Sequence, residues 1–535
     1  MFFSDVPNLM ITYLPISLIS ITLSTVSAFI LYTITKTIYR LFFHPLSSFP
    51  GPRLAAATFL YEAYFDVWQD GQFIFHLERL HDQYGPVIRV SPEEIHVRDS
   101  EWFDVLYTGP GHVRDKWARA NRANGSPGAV ASATSHDHHR LRRGALNQFF
   151  SKRAIDEMED GIRAKVGSMC DMIEREYAHT GKALSLGTVF TALTMDVITS
   201  YCFGKSQDCL TDPDFAPKWK HLMTAIFNST PISKHFPIVP KIMSSLPRGL
   251  VASLVPEMAP FFEAQDTIHA QANAIYQEET SRIAGMTKRE AKAKTIFHGI
   301  LQSDLPAEEK TIQRMSDEAF VLIVAGAETT AQVLTVMFAH ILQNPTMLRR
   351  LRAELDTIAS SNGELPPSRL FAQLPLCRAT VQEGLRLAGP VTNRPILIAP
   401  SEDLRYASDA SSSRQYIIPR GTPISMTLRD VLADPVIFPS PSHFNPDRWI
   451  EASAQGIRLD RFLVTFSKGS RACIGMNLSQ SELYLALAAV VGRFDLKLGE
   501  GFDWERDLKV TRDHFVGWPG TGARDVVVEV EKRAS

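Results

Sequence analysis

Ten residues near the C-terminal end, Phe466 to Gly475 (FSKGSRACIG), hold the densest chemistry in the chain. Gly469 and Gly475 allow tight turns and positive φ. Arg471 offers a bidentate donor for a carboxylate, and Cys473 stands just ahead of MNLSQSELYLALAAVVGRF, which reads as an amphipathic helix. A helix N-terminus favours the thiolate, and nearby backbone N–H groups tune a metal bound to the sulfur. No second soft ligand is near and no CxxC occurs, so the thiolate suits a single axial bond to haem iron better than a zinc site. The other cysteines, Cys170, Cys202, Cys209 and Cys377, make an odd, irregularly spaced set of five that is not a disulfide framework.

Three further segments could do chemistry. Met315 to His340 reads as one long apolar helix in which Ala319 to Phe338 carry a single charge, Glu328. It is either a membrane span with a costly central acid or a buried helix with a functional one, and Thr329 beside it could equally bond back to its own helix carbonyl. Glu383 and Arg386 (EGLR) lie at i and i+3 on one helix face, worth only a few tenths of a kcal/mol in isolation (~0.2–0.5). SHDHHRLRRGALNQFFS, Ser135 to Ser151, clusters three histidines. With no acid or cysteine at ligand spacing, it reads as a polar helix start before it reads as a metal site.

Together these residues resemble the cytochrome P450 family. FxxGxRxCxG, here Phe466, Gly469, Arg471, Cys473 and Gly475, is similar to that family's haem-binding loop, with Cys473 as axial thiolate on haem b. AGAETT, Ala325 to Thr330, resembles the centre of the helix that crosses the haem. The resemblance implies that Gly326 loosens that helix and that Thr329 and Glu328 manage protons for dioxygen. FNPDRW, Phe444 to Trp449, lies between EGLR and the Cys loop as in the family, which implies a structural network of Glu383, Arg386 and Arg448. Aligned on FFS, the family's WxxxR falls on His138 and Arg142. With Arg394 of GPVTNRP and Arg471, these are the residues expected at the haem propionates.

The elements that must position these groups are mostly helical, including FIFHLERLHDQYG and MEDGIRAKVGSMCDMIEREYAH. Strand signals are fewer: VIRVSPEEIHV, Val87 to Val97, turning at Ser91-Pro92; ILIAP near Ile396; and VVVEVE near Val526. The fold class expected is therefore mainly α with a small β portion, a P450 fold by resemblance. No internal repeat is evident, and surface loops are expected at Lys288 to Lys294, Leu305 to Lys310 and Ser408 to Gln415. The proline-broken apolar stretch from Thr230 to Pro260 reads as a membrane contact, a pocket cover or a buried irregular connection.

Ahead of these comes a stretch of 30 uncharged residues between Asp5 and Lys36, enough to cross a ~30 Å hydrocarbon core. Lys36, Arg40 and Arg53 follow it and no basic residue precedes it, which favours an anchor over a cleaved signal and puts the bulk of the chain in the cytosol. Residues 1–36 are thus expected to be the anchor and 37–57, rich in proline (FHPLSSFPGPRLAAA), a stiff extended hinge. Residues 58–535 are expected to be one haem domain. The net charge of −2 and the absence of a basic stripe exclude nucleic acid as a partner.

By resemblance the chain is an oxygen-dependent monooxygenase, single-pass in the endoplasmic reticulum membrane. Its partners would be NADPH–cytochrome P450 reductase, cytochrome b5, membrane lipid and a lipophilic small molecule. The hinge looks most like fungal enzymes of the trichodiene oxygenase type, which implies terpenoid or polyketide substrates in secondary metabolism. The pocket is expected at Trp102 to Val130, near Ile232, at Ala325, at Val391, Thr392 and Asn393, and at Phe515. A thiolate-haem isomerase or dehydratase that uses no dioxygen is the alternative, disfavoured by Glu328 and Thr329. A non-catalytic ligand carrier is the remote one.

Overall fold

The computed structural model describes residues 10–285, 295–359, 364–407 and 415–533. The loops expected at Lys288 to Lys294 and Ser408 to Gln415, the latter up to Arg414, lie outside the described residues. The architecture is mainly helical with small sheets at its margins, as the sequence pattern indicates.

Two helices, Leu186–Phe203 and Ile312–Leu342, form the central layer. Ser185 caps the first by accepting from Thr188 N–H, and Gly204 ends it in the left-handed region at φ 71°. Thr311 caps the second through Arg314 N–H. They cross closely because position 326 is glycine: a Cβ there would meet Ile198 at 3.0 Å. Thr194 Oγ1 donates to Ala327 O across the crossing at 2.6 Å, and Phe190 stacks on Phe338. The long helix is unbroken from Ile312 to Leu342, so Gly326 serves close packing rather than the loosening expected of it. Both helices match a membrane span in length and apolarity but are packed inside the protein.

Helices Pro375–Ala388 and Met476–Arg493 pack against this layer. In the latter every side chain from Ser481 to Val491 is buried. It is therefore an interior helix, not the amphipathic one expected.

The largest sheet has five strands in the order Val87–Arg89, Ile95–Val97, Pro423–Ser425, Ile396–Ile398, Asp115–Lys116. Its hairpin pairs Val87 with Val97 around Ser91-Pro92. A two-stranded hairpin, Arg512–His514 with Val516–Trp518, carries Phe515 at its tip. Val527–Lys532 lies between Leu184–Ser185 and Phe494–Leu498 in a third sheet.

The N-terminal helix Met10–Ile38 runs on through a wider turn, Tyr39–Phe43, and stops at His44, whose backbone is extended ahead of Pro45. The stretch Ile19–Phe43 is long and apolar enough to cross a membrane, and none of it is buried in the protein. The proline-rich hinge is docked onto the domain. Leu46 is buried, Arg89 N–H donates to Pro50 O at 2.7 Å, and the Arg89 guanidinium reaches Arg40 O and Pro92 O.

The stretch from Thr230 to Pro260 is not irregular, and from Ile238 on it is mostly exposed. It folds into short helices Thr230–His235, Ile238–Ser245 and Arg248–Leu254. Ile238, Ile242, Leu250 and Leu254 are exposed along it.

Candidate active site

Cys473 is the only exposed cysteine of the five. Its loop is held by Cys473 N–H donating to Phe466 O at 2.8 Å. At Gly469, φ is 74° and a Cβ would fall 2.1 Å from Thr108 O, so no other residue fits this close approach. Loss of hydration pushes the free thiol upward, while Gly475 N–H and Arg143 pull it back. The helix start expected to favour the thiolate does not win for the free side chain.

Four basic groups gather by this loop: Lys116 from the sheet edge, His139 and Arg143 from the helix His136–Asn147, and Arg471. Arg471 donates to Ala133 O and Thr134 O at 2.6 and 2.7 Å, and its Nε is buried without a partner. Arg143 donates to Ala472 O at 2.6 Å, and Lys116 to Ala131 O at 2.6 Å. None of the four has a carboxylate ion-pair partner among the described residues. Burial pulls Lys116 down to about 8, with Arg471 adding repulsion. Burial, Arg471, Arg143 and Lys116 hold His139 down at about 3. Such a cluster is short of negative charge, and a group carrying two carboxylates beside a thiolate-ligated metal fits it. The residues present therefore fit haem.

Three expected propionate contacts are placed elsewhere. His138 and Arg142 both turn to Glu309: His138 Nε2 lies 2.6 Å from Oε1 and Arg142 Nε 2.7 Å from Oε2. They are one residue off the pair that faces the Cys loop, because neighbours on a helix point about 100° apart. Arg394 is fully buried between Glu94 and Glu62, at 2.9 and 2.6 Å. Its Nε and Nη2 are taken by these two carboxylates inside the protein.

Glu383, Arg386 and Arg448 meet in one network. Arg386 makes a two-point contact with Glu383 at 2.9 and 2.8 Å. Arg448 Nε, Trp449 Nε1 and Asn445 N–H donate to the same carboxylate. Arg386 also donates to Leu432 O and His443 O, which ties the Pro375–Ala388 helix to the segment leading into the Cys loop.

At the middle of the long helix Ala325 is exposed and Thr329 half-buried, amid residues that are otherwise packed. Thr329 Oγ1 donates to Ala325 O at 2.9 Å, the back-bond that polar helix residues commonly make. Glu328 is wholly buried and pairs with Lys220, a partner with no local signal in the sequence.

Of the expected pocket residues, Asn393 and Phe515 line one small cavity together with Ala120, Asp66 and Asp513. Val391 bridges Val516, and Thr392 Oγ1 donates to Asp513 Oδ1 at 2.7 Å. Glu62, Asp66 and His235 come together at ligand spacing. The cation position there belongs to Lys234, whose Nζ lies 2.6 Å from Glu62 and 2.8 Å from Asp66.

Comparison with known proteins accords with the Cys loop. A family profile described as cytochrome P450 matches residues 55–510. The cytochrome P450 monooxygenase MO6277 of Ascocoryne sarcoides is 39% identical over 93% of this chain and 96% of its own length. The N-acetyltryptophan 6-hydroxylase of Emericella nidulans is 36% identical over 94% and 96%. The cytochrome P450 monooxygenase TRI4 of Fusarium sporotrichioides is 33% identical over 92% and 91%. With relatives matched nearly end to end and the family profile spanning most of the sequence, this chain belongs to the cytochrome P450 family of haem-thiolate monooxygenases.

Proposed function

We propose that the protein is a membrane-anchored monooxygenase of fungal secondary metabolism that hydroxylates or further oxidises a lipophilic small molecule. The observation that carries this reading is the exposed Cys473 beside four basic groups that make no carboxylate ion pair among the described residues. Haem b, bound through Cys473, supplies dioxygen activation with electrons from NADPH–cytochrome P450 reductase, for which cytochrome b5 is a second donor. Lys116, His139, Arg143 and Arg471 hold its two carboxylates. Phe466, Gly469 and Gly475 shape the loop that carries the sulfur. The Glu383, Arg386 and Arg448 network keeps the underlying segment rigid.

At the middle of the long helix, Ala325 would leave room for the bound cofactor and substrate, and Thr329 and Glu328 would hold and pass protons. Val391, Thr392, Asn393 and Phe515 wall the substrate. Residues 1–36 anchor the chain in the endoplasmic reticulum, and residues 58–535 face the cytosol as the catalytic domain, docked through hinge residues 37–57. The fungal relatives, with their tryptophan-derived and TRI4-type names, support secondary metabolism without selecting one scaffold.

The reduced carbon monoxide spectrum tests the reading. A red-shifted thiolate Soret band that disappears in Cys473→Ala is expected, and its absence from the wild type overturns the assignment. Turnover that persists without dioxygen and reductant would favour an isomerase or dehydratase.

A further inference from the structure

The small cavity at the tip of the Arg512–His514 hairpin is unlike the rest of the pocket wall. Its volume is about 30 Å³, room for one water or a small head group. Two buried carboxylates, Asp66 and Asp513, contribute to its wall. Asp66 Oδ2 accepts from Lys234 and His235, but its Oδ1 is buried with no partner. Asp513 Oδ1 accepts from Thr392 Oγ1 and from Phe515 N–H, and no hydrogen bond of the described residues reaches its Oδ2.

The ion pairing here is also uneven. Glu62, Glu94 and Asp66 pair with Arg394, Lys234 and His235, and Arg119 acts on Glu62 from further off. Asp513 alone of the four carboxylates has no ion-pair partner among the described residues. Lys234 and His514 also line the cavity, but the Lys234 ammonium is taken by Glu62 and Asp66, and His514 is occupied by Asp70 and Asn228. Burial and Asp66 push Asp513 up to about 6, while Lys234 and the bonds from Thr392 and Phe515 pull it back.

The cavity is tied to the reaction face. Phe515 is held at φ 81°, a costly conformation for a non-glycine residue. Asp513 fixes it through the Phe515 N–H, while Phe515 O accepts from Thr392 and Asn393 N–H. Gln332, almost one turn beyond Thr329, donates to Gly517 O in the same hairpin at 2.7 Å.

We propose that Asp513, backed by Asp66, is the specificity-determining anchor for a protonated amine carried on an otherwise lipophilic substrate. The inference rests on the monooxygenase reading of the same pocket and narrows its substrate class. An ammonium supplies an ion-pair partner for Asp513 and donors for both unused oxygens, whereas a hydrocarbon terpenoid leaves them desolvated and unpaired.

The test uses full-length holoenzyme and a series of 1-alkylimidazoles with tails of three to ten carbons, each paired with its ω-amino analogue. Imidazole binding to the iron is read by the Soret shift. At one tail length the amino analogue is expected to bind at least tenfold tighter, and Asp513→Asn, which keeps the Oδ1 bond to Phe515, should cut that preference below threefold. Asp66→Asn should also reduce it. Equal affinities at every tail length, the result of a cavity that holds only an ordered water, overturn the proposal without any variant. A preference unchanged in Asp513→Asn overturns it too. Absence of the red-shifted carbon monoxide band in the same preparation takes down the haem-thiolate reading itself, and this inference with it.

Discussion

Lys220 Nζ lies 2.5 Å from Glu328 Oε1, joining the helix Lys218–Asn228 to the centre of the long helix. Glu328 has no exposed surface, while the Lys220 side chain keeps 19% of its own. The pair therefore connects a buried acid to the solvent edge. Burial raises the Glu328 pKa, Lys220 draws it back, and Asp525 adds to the rise.

Lys220→Met removes the counter-charge and leaves a buried carboxylate that must take up a proton. A folded pKa raised above the unfolded value contributes stability that is complete below the unfolded pKa and is lost as pH rises through the folded one. Without Lys220 the rise is larger, so the loss extends to higher pH. The melting temperature of Lys220→Met should fall further behind wild type from pH 5 to pH 8, with the carbon monoxide spectrum unchanged at pH 6. Parallel melting curves would remove Glu328 from any proton-linked role. If Glu328 does pass protons, product per reductant should also drop by about tenfold or more, the lower range of acid–base contributions.

The adjacent basic pairs on His136–Asn147 should separate cleanly. Arg143→Ala and His139→Ala are expected to speed haem transfer to apomyoglobin by at least tenfold. Arg142→Ala should leave that rate near wild type. It instead lowers stability, by less than the about 3–5 kcal/mol of a fully orphaned buried charge, because Glu309 keeps His138 and Arg314. The reverse pattern would restore His138 and Arg142 to the haem.

What the sequence made legible was local. Phe466 to Gly475, the AGAETT helix and the Val87–Val97 hairpin are contiguous, and their residue types state their own geometry. The tandem HHRLRR run was not legible. Both His138–Arg142 and His139–Arg143 satisfy the same i,i+4 spacing, and only packing decides which pair faces the Cys loop. The placement of Arg394 is hidden for a related reason: its partners Glu62 and Glu94 lie 332 and 300 residues away. Lys220 and Glu328 are likewise 108 residues apart, and no pattern in either segment announces the other. Gly326 could be read as a position of freedom, but the neighbour it admits, Ile198, is visible only once the helices cross.

Glu383 accepts from Arg386, Arg448, Trp449 and Asn445 at once. Glu383→Ala leaves two buried guanidinium groups without their carboxylate and should cost about 3–5 kcal/mol in urea unfolding. The haem-bound fraction should fall with it, since the same segment leads into the Cys loop. Arg448→Ala should cost less, because Glu383 keeps its two-point contact with Arg386.

Acid stability should depend on Lys234. Burial opposes ionisation of Glu62 and Asp66. Arg394 and Lys234 on Glu62, and Lys234 and His235 on Asp66, outweigh it and hold both below the ordinary carboxylate range. Depressed folded pKa values contribute stability above the unfolded values, near pH 4, that is lost as pH falls through the folded ones. Lys234→Met weakens that depression, so its acid unfolding midpoint should move to higher pH by about half a unit or more. An unmoved midpoint would show that Arg394 and His235 suffice.

Membrane contact should not depend on the N-terminal helix alone. Beyond Ile19–Phe43, a second apolar surface is formed by Ile238, Ile242, Leu250 and Leu254, and exposed Trp68 joins it through an edge contact with Phe236 at 5.9 Å. Exposed apolar side chains presented together on short helices favour the lipid interface. Removal of residues 1–36 should therefore leave the catalytic domain floating with neutral phosphatidylcholine vesicles, though washed off more readily than the full chain. In that truncated protein, Ile242→Lys with Leu250→Lys should abolish flotation while preserving the carbon monoxide spectrum. If the truncated wild type stays in solution, the Ile238–Leu254 surface has no role at the membrane and anchoring belongs to the first helix.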